Sequence, residues 1–261
     1  MAPGSLTGKS VVFGGSNVRL EATGYGAVYF LSHMLAAQND QIAGKRCLVS
    51  GSGNVALYAA EKLLALDAKV ITLSDSKGFL HIPDGLTTTQ LKDIMVLRFN
   101  KHQPLAHILK QYPELKFHPG QTPWQTPADI ALPCATENEI GVEDAKALHA
   151  GKVQMVVEGA NMPVSPAAIT VFTEKGITYA PGKAANAGGV AVSGLEMSQN
   201  AMGYFWTHDE VDQKLQLIMK NIHDQCLQYA QAKSGHVINY ARGANIVGFK
   251  KIADAMLAFG V

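Results

Sequence analysis

The run Lys45-Arg46-Cys47-Leu48-Val49-Ser50-Gly51-Ser52-Gly53-Asn54-Val55-Ala56 decides the fold. Residues 45–50 have the length and apolar content of a strand, and the strand stops at Gly51. Val55, Tyr58, Ala59 and Leu63 then recur at helical spacing and predict a helix over 54–67. Between the two lies G-x-G-x-x-G/A. Gly51 makes the tight turn, Gly53 has no side chain to block a pyrophosphate, and Ala56 lets the helix sit close on the strand. The helix N-terminus offers unpaired N–H groups and partial positive charge to phosphates. Alone, the pattern is weak, because glycine turns are common. Here a second strand over 69–73 follows a connection of about two residues and leads to Asp75. That context favours dinucleotide binding over a purely structural turn.

Outward from this unit, strand-length apolar runs alternate with helical patterns, as in parallel sheets joined by crossover helices. Further strands are expected over 129–132, 155–158 and 177–179. Helices are expected over 141–150 and 165–175, the second opening at Ser165-Pro166. Helical patterns also cover 21–37, 188–203, 208–232 and 245–258. The fold class is α/β: a doubly wound, Rossmann-like, mostly parallel sheet with additional C-terminal helices. Residues 1–261 read as a single domain, with 1–8 as a seam where a longer chain was cut and 187–261 as the helical C-terminal part.

Hydrophobic residues make up 47% of the chain and charged residues 16%, a well-buried globular composition. The net charge of +1 gives no field to draw in nucleic acid or acidic membranes. No apolar run reaches the ~18 residues a membrane helix needs, and the N-terminus does not read as a signal peptide. Cys47, Cys134 and Cys226 form no C-x-x-C pair and are expected to be reduced core residues of a cytoplasmic protein. No metal-ligand spacing is present among the nine histidines, so no metal site is expected.

Asp75 lies 24 positions beyond Gly51, near the spacing at which an acid meets the adenosine ribose of NAD. Its neighbours Ser74, Ser76 and Lys77, with Arg98 and Lys101 on the next helical stretch, could instead satisfy the 2′-phosphate of NADP. These residues alone leave the choice open, and each basic residue also reads as an ordinary solvated charge.

Six motifs occur together and in order: Glu21-Ala22-Thr23-Gly24-Tyr25-Gly26, Val49 to Ala56, Ala131-Leu132-Pro133-Cys134-Ala135-Thr136, Glu158-Gly159-Ala160-Asn161-Met162-Pro163, Pro181 to Val190, and Ser193-Gly194-Leu195-Glu196-Met197. Over about residues 8–261 the sequence resembles the coenzyme-binding domain of the hexameric, NADP-specific glutamate dehydrogenases of bacteria and lower eukaryotes. The resemblance implies NADP(H) as cofactor, L-glutamate, 2-oxoglutarate and ammonia as substrates, and a homohexamer at full length. It places Thr23 at the nicotinamide end and Gly51, Ser52, Gly53, Asn54 and Val55 at the pyrophosphate turn. Asp75 and Ser76 fall near the adenosine ribose, and Arg98 and Lys101 match the NADP-preferring branch. Ala135, Thr136 and Asn161 fall along the nicotinamide ribose. Val190 and Ser193 face the substrate, the Ser193 hydroxyl reaching glutamate's side-chain carboxylate. It also implies a preceding domain that supplies the catalytic lysines and aspartate and most hexamer contacts. No catalytic residue is assigned within this chain, which is expected to bind cofactor without turnover. Two rivals are an NAD-dependent amino-acid dehydrogenase of the same fold and a non-catalytic nucleotide-binding module.

The remaining candidates have plainer readings. Lys183 reads as a loop lysine near the cleft rather than a catalytic one. Glu158 either contacts a ligand or bonds local backbone N–H groups. Met155, Met162, Met197 and Met202 read as core filler. Trp124 and Trp206 read as packing residues, Trp124 partly exposed. The histidines show no acid at suggestive spacing, and none is given a role.

Overall fold

The computed structural model describes residues 3–230 and 238–260. Seven strands form one sheet: β1 (Arg46–Val49), β2 (Lys69–Asp75), β3 (Gly78–His81), β4 (Lys116–Pro119), β5 (Ile130–Leu132), β6 (Met155–Val157) and β7 (Thr178–Ala180). Their order is β4-β3-β2-β1-β5-β6-β7. β1, β2, β5, β6 and β7 pair in parallel, whereas β3 runs antiparallel to both β2 and β4. The parallel strands are the expected ones, within a residue or two at their ends.

The β3–β4 pair was not anticipated. β2 and β3 are joined through Ser76 and Lys77, with Asp75 opposite Gly78. Gly78-Phe79-Leu80-His81 and Lys116-Phe117-His118-Pro119 are too short and too polar to read as strands alone; their partners complete the ladder.

Nine helices are seen among the described residues: α1 (Ala22–Ala36), α2 (Asn54–Ala65), α3 (Thr88–Met95), α4 (Val142–Ala150), α5 (Pro166–Lys175), the single turn α6 (Gly182–Ala185), α7 (Gly188–Met202), α8 (His208–Ala230) and α9 (Tyr240–Phe259). The helix expected over 208–232 is α8, its last two positions lying outside the described residues. α9 begins five residues earlier than the pattern from 245 suggested, where Asn239 caps it by accepting from Arg242 N–H. α5 starts as anticipated: the Ser165 side chain accepts from Ala168 N–H, with Pro166 in the first turn.

Two apolar layers cover the sheet. One gathers α1, α2, α3 and α8 around Val49, Val70 and Leu73. The other gathers α4 and α5 around Leu48, Ile71 and Val156. Trp124 belongs to the second and is 0% exposed, which corrects the expectation of a partly exposed loop residue. Met155 is core, but Met162, Met197 and Met202 are exposed and fill no core. All three cysteines are buried and unpaired.

Small residues set how closely α1 approaches its neighbours. A Cβ on Gly24 would lie 2.5 Å from Ala59 N and 2.6 Å from Val55 O, so α1 rests directly on the backbone of α2. On its other side a Cβ at Gly188 would run into the carbonyl of Ala22. Thr23 is thereby held between the glycine turn that opens α2 and the start of α7. No helix among the described residues is long and apolar enough to cross a membrane.

Candidate functional site

β1 has β2 on one side and β5 on the other, so the chain reverses its direction of travel across the sheet at β1/β5. In such sheets the loops at the carboxyl ends part there and leave a crevice. A cavity of ≈ 790 Å³ opens at that position. It is lined by Gly51 to Val55, by Ser74, Asp75, Ser76 and Lys77 after β2, by Arg98 and His102, and by Cys134, Ala135, Thr136 and Glu139 after β5.

The turn has the geometry the motif needs. Gly51 sits at φ +88°, and a Cβ there would come within 2.9 Å of Cys134 O and 3.2 Å of Ala56 Cβ. Gly53 is the N-cap of α2, supplies no capping side chain, and has open space where a Cβ would be. The first N–H groups of α2 therefore face the cavity without a side-chain cap. Beside them the Ser52 hydroxyl is buried with no hydrogen-bond partner. A buried, unpaired hydroxyl next to an uncapped helix start fits a phosphate of a bound dinucleotide, which would satisfy both.

Asp75 is engaged by the protein. Its Oδ1 accepts from Lys77 N–H (2.8 Å) and its Oδ2 from Leu105 N–H (2.8 Å). Arg98 Nη1 stands 3.9 Å from the same Oδ2 and donates to Gln103 O at 2.6 Å. The carboxylate thus organises the loop beyond β2, and a guanidinium offsets its charge. Ser74 is also structural, its hydroxyl accepting from Gly51 N–H at 2.7 Å. Exposed Ser76 and Lys77, with Arg98 and the His102 ring, are the remaining polar groups at this end.

The other expected residues divide. Ala135 and Thr136 line the cavity, their N–H groups donating to Glu139 Oε1 at 3.0 and 3.4 Å. Lys101 is exposed beyond the π-helical turn Val96–Asn100 and does not line it. Asn161 lies outside it too, on a neighbouring cleft of ≈ 800 Å³ at the ends of β6 and β7. Its Oδ1 accepts from Asn186 Nδ2 at 2.9 Å, a contact that no reading of the motifs predicted. Thr23 lies on α1 against the first turn of α7, where a Cβ on Gly189 would meet its Oγ1. Val190 is 73% exposed on α7, and Ser193 one turn on is bonded to Thr7 Oγ1 at 3.1 Å. Thr7 belongs to a segment held down by Glu196, whose buried carboxylate pairs with Lys9 Nζ at 2.6 Å and accepts from Gly8 N–H at 2.8 Å.

Glu158 settles on the local reading. It is 3% exposed and accepts from Tyr179 Oη (2.7 Å), Gly182 N–H (2.5 Å) and Val164 N–H (3.3 Å), tying β6 to β7 and α6. Burial raises its carboxyl pKa, opposed by those hydrogen bonds. Lys183 is exposed on α6 rather than in a loop and donates to Asn245 Oδ1.

An α/β sheet with an uncapped glycine turn at its switch point defines a dinucleotide-binding fold of the Rossmann type. A family model described as Glutamate/Leucine/Phenylalanine/Valine dehydrogenase matches residues 14–260, and the chain belongs to that family. It is 52% identical over 258 residues to an NAD(P)-specific glutamate dehydrogenase of Xylanibacter ruminicola, covering 99% of this chain and 58% of that protein. The NAD-specific glutamate dehydrogenase of Porphyromonas gingivalis is 45% identical over 259 residues, with the same coverage of each. The crystal structure of Plasmodium falciparum glutamate dehydrogenase superposes with a TM-score of 0.96 at 44% identity, over 100% of this chain and 56% of that one. The chain therefore spans a little over half the length of these relatives.

Proposed function

We propose that this chain is the NADP(H)-binding part of a glutamate dehydrogenase, acting in the reversible oxidative deamination of L-glutamate to 2-oxoglutarate and ammonia. The observation that carries the reading is the orphaned Ser52 hydroxyl beside the uncapped start of α2, in a cavity at the sheet's switch point. Relatives named as glutamate dehydrogenases support the substrate. In the whole protein, homohexameric and cytoplasmic, the remaining substrate-binding and proton-moving groups would come from outside these residues.

Gly51 to Val55 receive the pyrophosphate and Ser76 the adenosine ribose, where Asp75 fixes the loop. Arg98 and Lys77 meet the 2′-phosphate, with Lys101 a more distant charge. Ala135, Thr136 and Asn161 hold the nicotinamide ribose, and Thr23 the carboxamide end. When bound, the nicotinamide supplies the ring that exchanges hydride with the α-carbon of the amino acid. Val190 and Ser193 set the substrate on the α7 side. The Ser193 hydroxyl, positioned by Thr7, reaches the side-chain carboxylate of glutamate.

Calorimetry with NADPH and NADH tests the cofactor assignment. Arg98→Ala is expected to weaken NADPH by about tenfold or more, the worth of a charge-assisted phosphate contact, and to leave NADH unchanged. Equal weakening of both would remove Arg98 from phosphate recognition. Relatives named as NAD-specific sustain the second reading, in which Asp75 meets a free ribose hydroxyl; tighter binding of NADH than NADPH would favour it.

A further inference from the structure

Glu139 lines the dinucleotide cavity although no motif pointed to it. It follows β5 in the loop that carries Ala135 and Thr136, and stands half-buried at the switch point. Its Oε1 accepts from the N–H groups of Ala135 and Thr136. The Ser50 hydroxyl just past β1, itself accepting from Cys134 N–H at 2.9 Å, also bonds the carboxylate. Among the described residues no lysine, arginine or histidine forms an ion pair with it.

A carboxylate offers about four acceptor positions, and protein donors fill three. A glutamine could receive the same two N–H groups through one oxygen without burying a charge, so loop geometry alone does not call for an acid. What the acid adds is an acceptor-only group on the wall of the cavity, where the ribose hydroxyls of a dinucleotide would need acceptors. We propose that Glu139, in its ionised form, accepts a hydrogen bond from a hydroxyl of the cofactor ribose that lies at the end of β5, and so positions the nicotinamide half. This inference rests on the dinucleotide reading above and adds a binding group to it.

Burial raises the Glu139 carboxyl pKa above the usual range. The Ser50, Ala135 and Thr136 hydrogen bonds pull it down, and the charge of Asp144 on α4 adds to the rise. The neighbouring Cys134 thiol is itself pushed up by burial and stays neutral. Across the cavity Asp75, Lys77, Arg98 and His102 face the adenosine end. The contact at Glu139 is therefore lost as pH falls and the carboxylate takes up a proton.

The test compares two ligands on the chain and on Glu139→Gln, between pH 8 and pH 5, by calorimetry. One is 2′-phospho-ADP-ribose, which carries the second ribose; the other is 2′,5′-ADP, which stops short of it. Titration of the adenosine-end groups acts on both ligands. The 5′-phosphate monoester of 2′,5′-ADP takes up a proton at about pH 6, alike with either protein, so the affinity ratio is compared between the chain and Glu139→Gln. In the unmodified chain that ratio is expected to fall by about fivefold over this range relative to the same ratio in Glu139→Gln, a fraction of a charge-assisted hydrogen bond. In Glu139→Gln it is expected to start lower and to follow only the titration of the 2′,5′-ADP phosphate. A ratio with the same pH course in both proteins overturns the proposal, as does a loss shared equally by the two ligands. Binding of neither ligand by the unmodified chain would instead remove the dinucleotide reading on which the proposal stands.

Discussion

At Gly51 the backbone is left-handed and crowded, whereas Gly53 is extended and faces open space. The two positions therefore tolerate substitution differently. Gly51→Ala forces a Cβ toward the Cys134 carbonyl in a conformation that costs an L-residue about 1–2 kcal/mol before any clash. The expected result is a Tm lowered by about 5 °C, read by thermal melts. Gly53→Val is expected to leave Tm within about 2 °C of the parent, because a Cβ there has open space around it. It should abolish detectable NADPH binding in calorimetry by occupying the phosphate position. Retained NADPH binding by Gly53→Val would remove the turn from phosphate recognition. Asp75 shows how one residue changes meaning with its surroundings. By spacing it is a ribose acid; in the fold its two oxygens serve the backbone of Lys77 and Leu105.

Between elements, the packing of α1, α8 and α9 converges on His223. Its ring is 3% exposed, with Nε2 2.9 Å from Tyr240 Oη and Nδ1 3.2 Å from Asp224 Oδ1, and the His33 ring lies 5.6 Å away. Its acid is the next residue along the chain, a pairing missed because adjacent positions on a helix rarely face each other. Burial holds the pKa of both histidines below the ordinary value near 6.5. The unfolded chain therefore binds these protons at higher pH than the fold does. Their contribution is full above about pH 6.5 and is lost as pH drops toward the depressed folded values. Thermal melts from pH 7.5 to pH 5.5 should show Tm falling on the acid side. The slope from each group should not exceed about 1.4 kcal/mol per pH unit. His223→Gln should flatten part of that slope; an unchanged slope would mean other groups carry the acid sensitivity.

For the whole molecule, the site is spread over distant parts of the chain. Thr7, Thr23, Asn186 and Ser193 gather around the start of α7, whereas the adenosine-end groups collect beyond β2. Val190 and much of α9, including Phe249, Ile252 and Leu257, expose apolar side chains. Because the chain spans 58% of its relatives, it is expected to bind NADPH yet show no glutamate-dependent reduction of NADP. A spectrophotometric assay of the reduced ring's absorbance follows that reduction. Turnover above the buffer control by the purified chain would overturn this expectation.

The strand, turn and helix around Gly51 were legible in the sequence because their signals are local: an apolar run, glycines at fixed offsets and helical periodicity. The parallel strands and long helices were legible for the same reason. Other features depend on partners remote in sequence. β3 exists as a strand because β2 offers it a free edge, and β4 because β3 does in turn, while Trp124 is buried because α4 and neighbouring strands close over its loop. Which cleft Asn161 and Lys101 reach was not legible in their motif positions: Asn161 lines the neighbouring cleft, and Lys101 is exposed and lines neither. Glu139 had no signal beyond its type, since its meaning depends on Ser50 and the loop N–H groups that meet it. The sequence by itself determined the sheet's parallel core and the phosphate turn, where neighbours along the chain set the conformation. Tertiary structure alone decided which polar groups reach the cavity and which are already bonded, because that depends on burial and on contacts between segments far apart in the chain.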